Sequence, residues 1–170
     1  MPAARLPRQT TALLPCAGAA CRPAGPHVCD SASQCRLVAD KLLAAGVAPT
    51  VQRRALGAML LCAPVHVTAE QLLRAAQAQA LPVSRATVYN TLRLFTERGL
   101  LHELPIEGVE AVYDSTTTPH HHVYDLATGE VSDIEGDALR VAGLDALAHG
   151  WDIDGVEVVV RGRRKVAVAP

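Results

Sequence analysis

Three consecutive histidines, His120, His121 and His122, carry the most evident coordination chemistry in this sequence. They follow Thr116-Thr117-Thr118-Pro119 and open an apolar run, which makes them the start of an extended segment. Side chains alternate along a strand, so His120 and His122 point to one side and His121 to the other. One ion can therefore take two of the three. Imidazole nitrogen suits zinc, iron and haem iron, and carboxylates in the same set shift the preference toward harder divalent ions such as Fe2+ or Mn2+. Asp114 and Asp133 fall on segments read as strands neighbouring the triplet, and His66 lies just ahead of a helix from which it can reach across. A His/Asp set bridging two domains would couple occupancy to their relative angle, which is what a sensor needs. Adjacent histidines also occur in solvated polar loops, and the residue types alone do not separate the two readings. His27, His102 and His149 are isolated and receive no role.

The elements that must position these residues can be read from local signals. Residues 1–30 are rich in Pro, Ala, Gly and Cys without periodicity and read as a flexible leader. Ser31 or Ser33 can cap a helix through Leu37, Val38, Lys41, Leu42 and Ala45, with Gly46 as its stop. A second helix runs from Thr50 to about Leu61. Thr68-Ala69-Glu70-Gln71 is a capping box, and Leu72, Leu73 and Ala76 then line a buried side of a third helix. Ala80-Leu81-Pro82-Val83 breaks that helix, and Ser84 caps a fourth that ends at Gly99. Leu100–Leu104 and Glu110–Asp114 flank Pro105-Ile106-Glu107-Gly108 as a β-hairpin. Beyond the triplet, His122–Asp125, Glu130–Ile134 and Val156–Val160 read as three strands, with a helix over Ala138–His149. The fold class is α+β: an N-terminal winged helix-turn-helix domain over 31–114, then a small α/β domain over 115–170.

The fourth helix has the composition of a DNA reader. With Arg85 at zero and about 100° per residue, Val88, Leu92 and Phe95 fall at about 280° to 340°, a narrow apolar stripe that must face a core. Arg85, Tyr89, Arg93 and Asn90 occupy about 0° to 140°. Arginine can chelate guanine and asparagine adenine in a major groove. Ser84, Thr87 and the free N–H groups at the helix start can hold a phosphate, and Arg53 can add a backbone contact. Any amphipathic surface helix shows some Arg and Asn outside; the preceding turn, the hairpin and the charge distribution favour DNA.

That distribution is divided. Residues 1–100 hold 11 Lys and Arg against 4 Asp and Glu, whereas residues 101–170 hold 5 against 13, for a net charge of −1. A basic half beside an acidic one fits a polyanion binder joined to a cation-collecting domain. The five cysteines, Cys16, Cys21, Cys29, Cys35 and Cys62, contain no Cys-x-x-Cys pair, which argues against a disulfide framework or zinc ribbon and for a reducing cytoplasm. No stretch is apolar and long enough for a membrane span. A metal-dependent hydrolase using the His/Asp cluster to activate water ranks low, since no separate general base or substrate pocket is apparent.

The run His66-Val67-Thr68-Ala69-Glu70-Gln71-Leu72, with Ala86-Thr87-Val88-Tyr89-Asn90-Thr91-Leu92 and Gly99-Leu100-Leu101, resembles the ferric uptake regulator superfamily over about residues 36–165. Pro82-Val83-Ser84, Pro119-His120-His121-His122, Val131–Ile134 and the ending Val159–Lys165 are most similar to its iron response regulators. The resemblance implies a regulatory metal site at His66, Asp114, His120, His122 and Asp133, haem binding at His120, His121 and His122, and a homodimer that binds palindromic operators of iron- and haem-metabolism genes. A peroxide-sensing repressor of the same superfamily is the alternative. Asp125-Leu126-Ala127-Thr128 stands where many members have a structural zinc cysteine pair, so no such zinc is expected. Cys29-Asp30 and Cys35-Arg36 lack the Cys-Pro haem motif of some iron response regulators.

Overall fold

The computed structural model describes residues 31–104, 106–136, 138–147 and 149–165, which form two compact units divided after Thr117. The leader read over 1–30, with Cys16, Cys21 and Cys29, lies outside the described residues.

The first unit is built from helices whose ends are set by local chemistry. Helix α1 (Ser31–Ala44) encloses Ser33, which is therefore not its cap. It stops at Gly46, whose φ of +69° lets Val47 N–H reach Leu42 O at 2.8 Å in a left-handed turn that a side chain would strain. Helix α2 (Val51–Leu60) is capped by the Thr50 side chain, which accepts from Arg53 N–H. Its Gly57 lets α1 approach closely: a Cβ there would stand 2.8 Å from Val38 Cγ1. A three-residue strand β1 (His66–Thr68) leads into α3 (Ala69–Ala78), which starts with the complete capping box of Thr68 and Gln71. Helix α4 (Arg85–Glu97) is capped by Ser84 and ends at Gly99, with φ +67°.

Val88, Leu92 and Phe95 on α4 are fully buried, together with Leu72 on α3, Leu56 and Leu60 on α2, and Val38 and Leu42 on α1. The apolar stripe computed from the helical period is thus the face that α4 turns to the core. Strands β2 (His102–Leu104) and β3 (Val112–Asp114) form the expected hairpin, shorter than the sequence suggested. The sheet they belong to has a third member that local pattern did not reveal: β1 pairs antiparallel with the other edge of β3, in the order β1-β3-β2. Ser115 fixes this pairing, since its Oγ accepts from Val65 N–H at 3.0 Å and donates to Ala63 O at 3.1 Å.

The second unit is a three-stranded sheet in the order β5-β4-β6. Strand β4 (His121–Asp125) is central, antiparallel to β5 (Val131–Ile134) and parallel to β6 (Val159–Gly162). The strand expected at Val156–Val160 therefore lies three residues later. Of the helix expected over Ala138–His149, the described residues show the short α5 (Leu144–Leu147), with Gly143 turning the chain at φ +88° immediately before it. The β4–β5 turn is held by side chains of Asp125-x-x-Thr128: Asp125 Oδ1 accepts from Ala127 N–H at 2.8 Å and Thr128 Oγ1 from Glu130 N–H at 3.2 Å. All buried hydrophobic side chains among the described residues belong to the first unit, whereas Leu126, Trp151, Ile153 and Val160 in the second are exposed.

Candidate metal centre and DNA-reading helix

Five residues were singled out as metal ligands, and each unit brings its own share of them together. In the first unit the β1–β3 register sets His66 directly opposite Asp114. Their side chains meet at 3.6 Å, His66 Nε2 to Asp114 Oδ1, with the carboxylate fully buried. Asp114 Oδ1 also accepts from Thr116 N–H at 2.8 Å, which pins the carboxylate. Asp114, expected on the second strand of the hairpin, sits there on β3 in the sheet of the first unit, facing His66.

In the second unit, His120, His122 and Asp133 each offer a ligand atom within 4.8 Å of the others. The sheet register explains this, since His122 pairs with Asp133 across β4 and β5. His120 Nδ1 lies 2.7 Å from Thr118 O. A carbonyl can only accept, so that nitrogen carries the proton, and a neutral His120 ring presents its Nε2 lone pair. That Nε2 is 3.3 Å from Asp133 Oδ1. His122 repeats the arrangement: its Nδ1 is 3.1 Å from Glu157 Oε1 and its Nε2 3.8 Å from the same Asp133 oxygen. The two rings stand edge to face with centroids 4.3 Å apart. Two imidazole nitrogens and a carboxylate oxygen that converge in this way make a donor set for a cation. A nitrogen and oxygen set without thiolate fits Fe2+, Mn2+ or Zn2+.

Glu157 was not anticipated. It lies in an acidic and apolar segment with no spacing signal, and only the parallel pairing of β6 with β4 carries it to His122. A carboxylate on the distal nitrogen of a ligand histidine fixes its tautomer and makes it a better donor to metal. His121, by contrast, alternates to the other side of β4 and is 8% exposed.

Along α4, Arg85, Tyr89, Asn90 and Arg93 are exposed, as is Ser84 at the cap, and Thr87 is half-buried. Ser84 Oγ accepts from Thr87 N–H at 3.2 Å and lies 2.9 Å from Thr87 Oγ1, so these hydroxyls already close the helix start. Arg53 is on α2, apart from this face, with its Nη1 donating to Ala48 O at 3.1 Å. Arg85 Nη1 meets Glu70 Oε2 at 2.8 Å. The charge of Glu70 and then its hydrogen bond raise the guanidinium pKa, with smaller help from Tyr89. The Tyr113 hydroxyl on β3 is also pushed up, first by burial and then by Glu103, Tyr89 and Glu110.

A helix-turn-helix packed on a small antiparallel sheet, followed in the chain by a nitrogen and oxygen ligand set, defines a metal-responsive transcription regulator. The model of the Ferric uptake regulator family matches residues 44–161. The chain is 32% identical over 125 residues to the peroxide operon regulator of Bacillus subtilis (strain 168), covering 69% of this chain and 86% of that protein. It is 30% identical over 120 residues to the peroxide-responsive repressor PerR of Staphylococcus aureus (strain USA300), covering 66% and 81%. Among solved structures, the ferric uptake regulator from Pseudomonas aeruginosa with manganese aligns at TM-score 0.57 and 26% identity, over 75% of this chain and 97% of that one. The Vibrio cholerae ferric uptake regulator shares the fold at TM-score 0.59 and 24% identity, over 74% and 98%. This chain belongs to the Ferric uptake regulator family. Members of this family are transcription regulators, which argues against the hydrolase alternative. No described helix is long and apolar enough to cross a membrane.

Proposed function

We propose that this chain is a sequence-specific DNA-binding regulator of iron- and haem-metabolism genes whose operator affinity is set by one divalent cation, Fe2+ or Mn2+. His66, Asp114, His120, His122 and Asp133 are its ligands. The observation that carries this reading is the paired orientation of His120 and His122, each with Nδ1 engaged by an acceptor and Nε2 turned to Asp133. The His66–Asp114 pair supplies the same donor types from the first unit. Arg85, Tyr89, Asn90 and Arg93 read the groove, while Ser84, Thr87 and Arg53 meet the phosphates. The protein acts as a homodimer on a palindromic operator; the exposed Trp151, Ile153 and Val160 support this.

Iron can also arrive as haem, with His120, His121 and His122 as the candidate axial ligands. The free ion is the better supported effector, because His120 and His122 already share Asp133 and His121 is buried. Kinship with the peroxide regulators of Bacillus subtilis and Staphylococcus aureus favours a second reading, in which peroxide releases operator from the Fe2+-loaded protein but not from the Mn2+-loaded one.

The test is anaerobic titration of the purified chain with Mn2+, Fe2+ or haem while binding of a palindromic promoter duplex is followed by fluorescence anisotropy. Mn2+ and Fe2+ should change DNA affinity, and His66→Ala and the double variant His120→Ala/His122→Ala should each abolish the change. A haem response that survives in the absence of any response to the free ions would overturn the cation reading. Two independent ions, one lost in each variant, would overturn the single site. Addition of hydrogen peroxide to the two loaded forms decides between iron sensing and peroxide sensing.

A further inference from the structure

Arg85, at the first position of α4, is not a free cation. Its Nη1 contacts Glu70 Oε2 at 2.8 Å, while the other oxygen of the same carboxylate, Oε1, lies 3.5 Å from Arg74 Nε. Glu70 is in the first turn of α3, where the helix dipole favours a negative charge. Its side chain is 28% exposed and that of Arg85 62%. The guanidinium thus leans on the preceding helix and still presents most of its surface outward. Tyr89, one turn further along α4, adds a smaller contribution that favours the charged guanidinium.

This arrangement has consequences for DNA reading that differ in sign. An unsupported arginine at a helix start samples many rotamers and meets phosphates as readily as bases. One that is held by a carboxylate at a single donor keeps its remaining N–H groups fixed, and a planar fork fixed in direction suits the paired O6 and N7 acceptors of guanine. The same carboxylate, set beside the groove, repels phosphates and so weakens attachment that does not depend on sequence. We propose that Glu70 is a specificity-determining positioning residue, which directs Arg85 onto a guanine in each half-site and lowers affinity for non-operator DNA. The proposal rests on the reading of α4 as the DNA-reading helix.

The experiment uses the full-length chain supplied with Mn2+, and three kinds of duplex. These are a palindromic duplex enriched by the wild-type chain from a randomised pool, its single-base-pair variants, and a scrambled duplex of the same composition. Wild type, Glu70→Gln, Glu70→Asp, Arg85→Ala and Glu70→Gln/Arg85→Ala are compared by anisotropy, with thermal melting of each. Arg85→Ala should erase discrimination at one base pair per half-site. Glu70→Gln should reduce discrimination at that same base pair by about tenfold, the scale of a bidentate contact, while binding the scrambled duplex more tightly. In the Arg85→Ala background it should leave base preference unchanged. Glu70→Asp keeps the charge at the start of α3 but falls short of Arg85, so it should lose discrimination without gaining affinity for the scrambled duplex. If Arg85→Ala leaves every base preference intact, the assignment of Arg85 as a reader fails, and the proposal with it. If Arg85→Ala changes base preference but Glu70→Gln does not, or does so equally without Arg85, the positioning role is overturned while the reading of α4 stands. A parallel loss of affinity for both duplexes with a lowered melting temperature would show a merely structural residue and also overturn it.

Discussion

Replacing Glu157 should weaken metal binding without touching any of the five proposed ligands. Glu157 Oε1 stands 3.1 Å from Nδ1 of a His122 ring that is 1% exposed, while the Glu157 side chain is 28% exposed. Removing such an outer partner of a ligand histidine costs about 10–100-fold in metal affinity, or about 1.4–2.8 kcal/mol. Partial exposure of the carboxylate screens its direct attraction to the cation, which places Glu157→Ala in the lower half of that range. Glu157→Gln separates the two contributions. Its amide keeps the size and shape of the side chain beside Nδ1, so only the charge is lost. Loss of a partly exposed charge contact is worth at most about 1 kcal/mol, which predicts no more than about a fivefold loss for Gln. The assay is titration with Mn2+ followed by the electron paramagnetic resonance of the free aqueous ion, which reads binding independently of DNA. Wild-type affinity in Glu157→Ala would refute the reasoning, and so would a Gln variant as weak as Ala.

Phe95→Ala should destabilise the first unit by about 3–5 kcal/mol in denaturant unfolding, since the Phe95 ring is fully buried between helices. Gly57→Ala gains up to about 1 kcal/mol of helix propensity but places a Cβ 2.8 Å from Val38 Cγ1; overpacking of about 1–3 kcal/mol should win, and a raised melting temperature would contradict the close α1–α2 approach. Ser115→Ala removes a donor and an acceptor that join the β1 approach to β3, at about 1 kcal/mol each. Amide exchange at Val65 should then quicken and Mn2+ affinity fall, because His66 is carried on β1; unchanged exchange would show that the pairing does not depend on Ser115.

The five candidate ligands stood out in the sequence, but the strand pairings that set His66 opposite Asp114 and His122 opposite Asp133 did not. His120 and His122 fall on one side by strand alternation alone, and the motifs carried Asp114, Asp133 and His66 as a set. The hairpin reading placed Asp114 on its strand, but the pairing that sets it opposite His66 runs through β1, which at three residues is too short to leave a periodic signal. Glu157 had no signal, because a single glutamate acquires meaning only from the strand paired with it. The same cause displaced the final strand: the apolar run begins at Val156, but hydrogen bonding to β4 starts at Val159.

The termini and buried faces of α3 and α4 needed nothing beyond the sequence. Thr68 with Gln71, Ser84 with Thr87, and the positive-φ glycines Gly46 and Gly99 act over three to five residues, so the chain specifies them before it packs. The buried stripe Val88, Leu92 and Phe95 follows from the helical period in the same way. Tertiary structure alone decided which strand pairs with which. The β1–β3 pairing is fastened by contacts between residues 50 apart, Val65 and Ser115, and a backbone hydrogen bond at that separation has no local pattern to announce it. The hold of Glu70 on Arg85 belongs with it: Glu70 lay in the capping box and Arg85 on the DNA-reading face, and only the packing of α3 against α4 brought the carboxylate to the guanidinium.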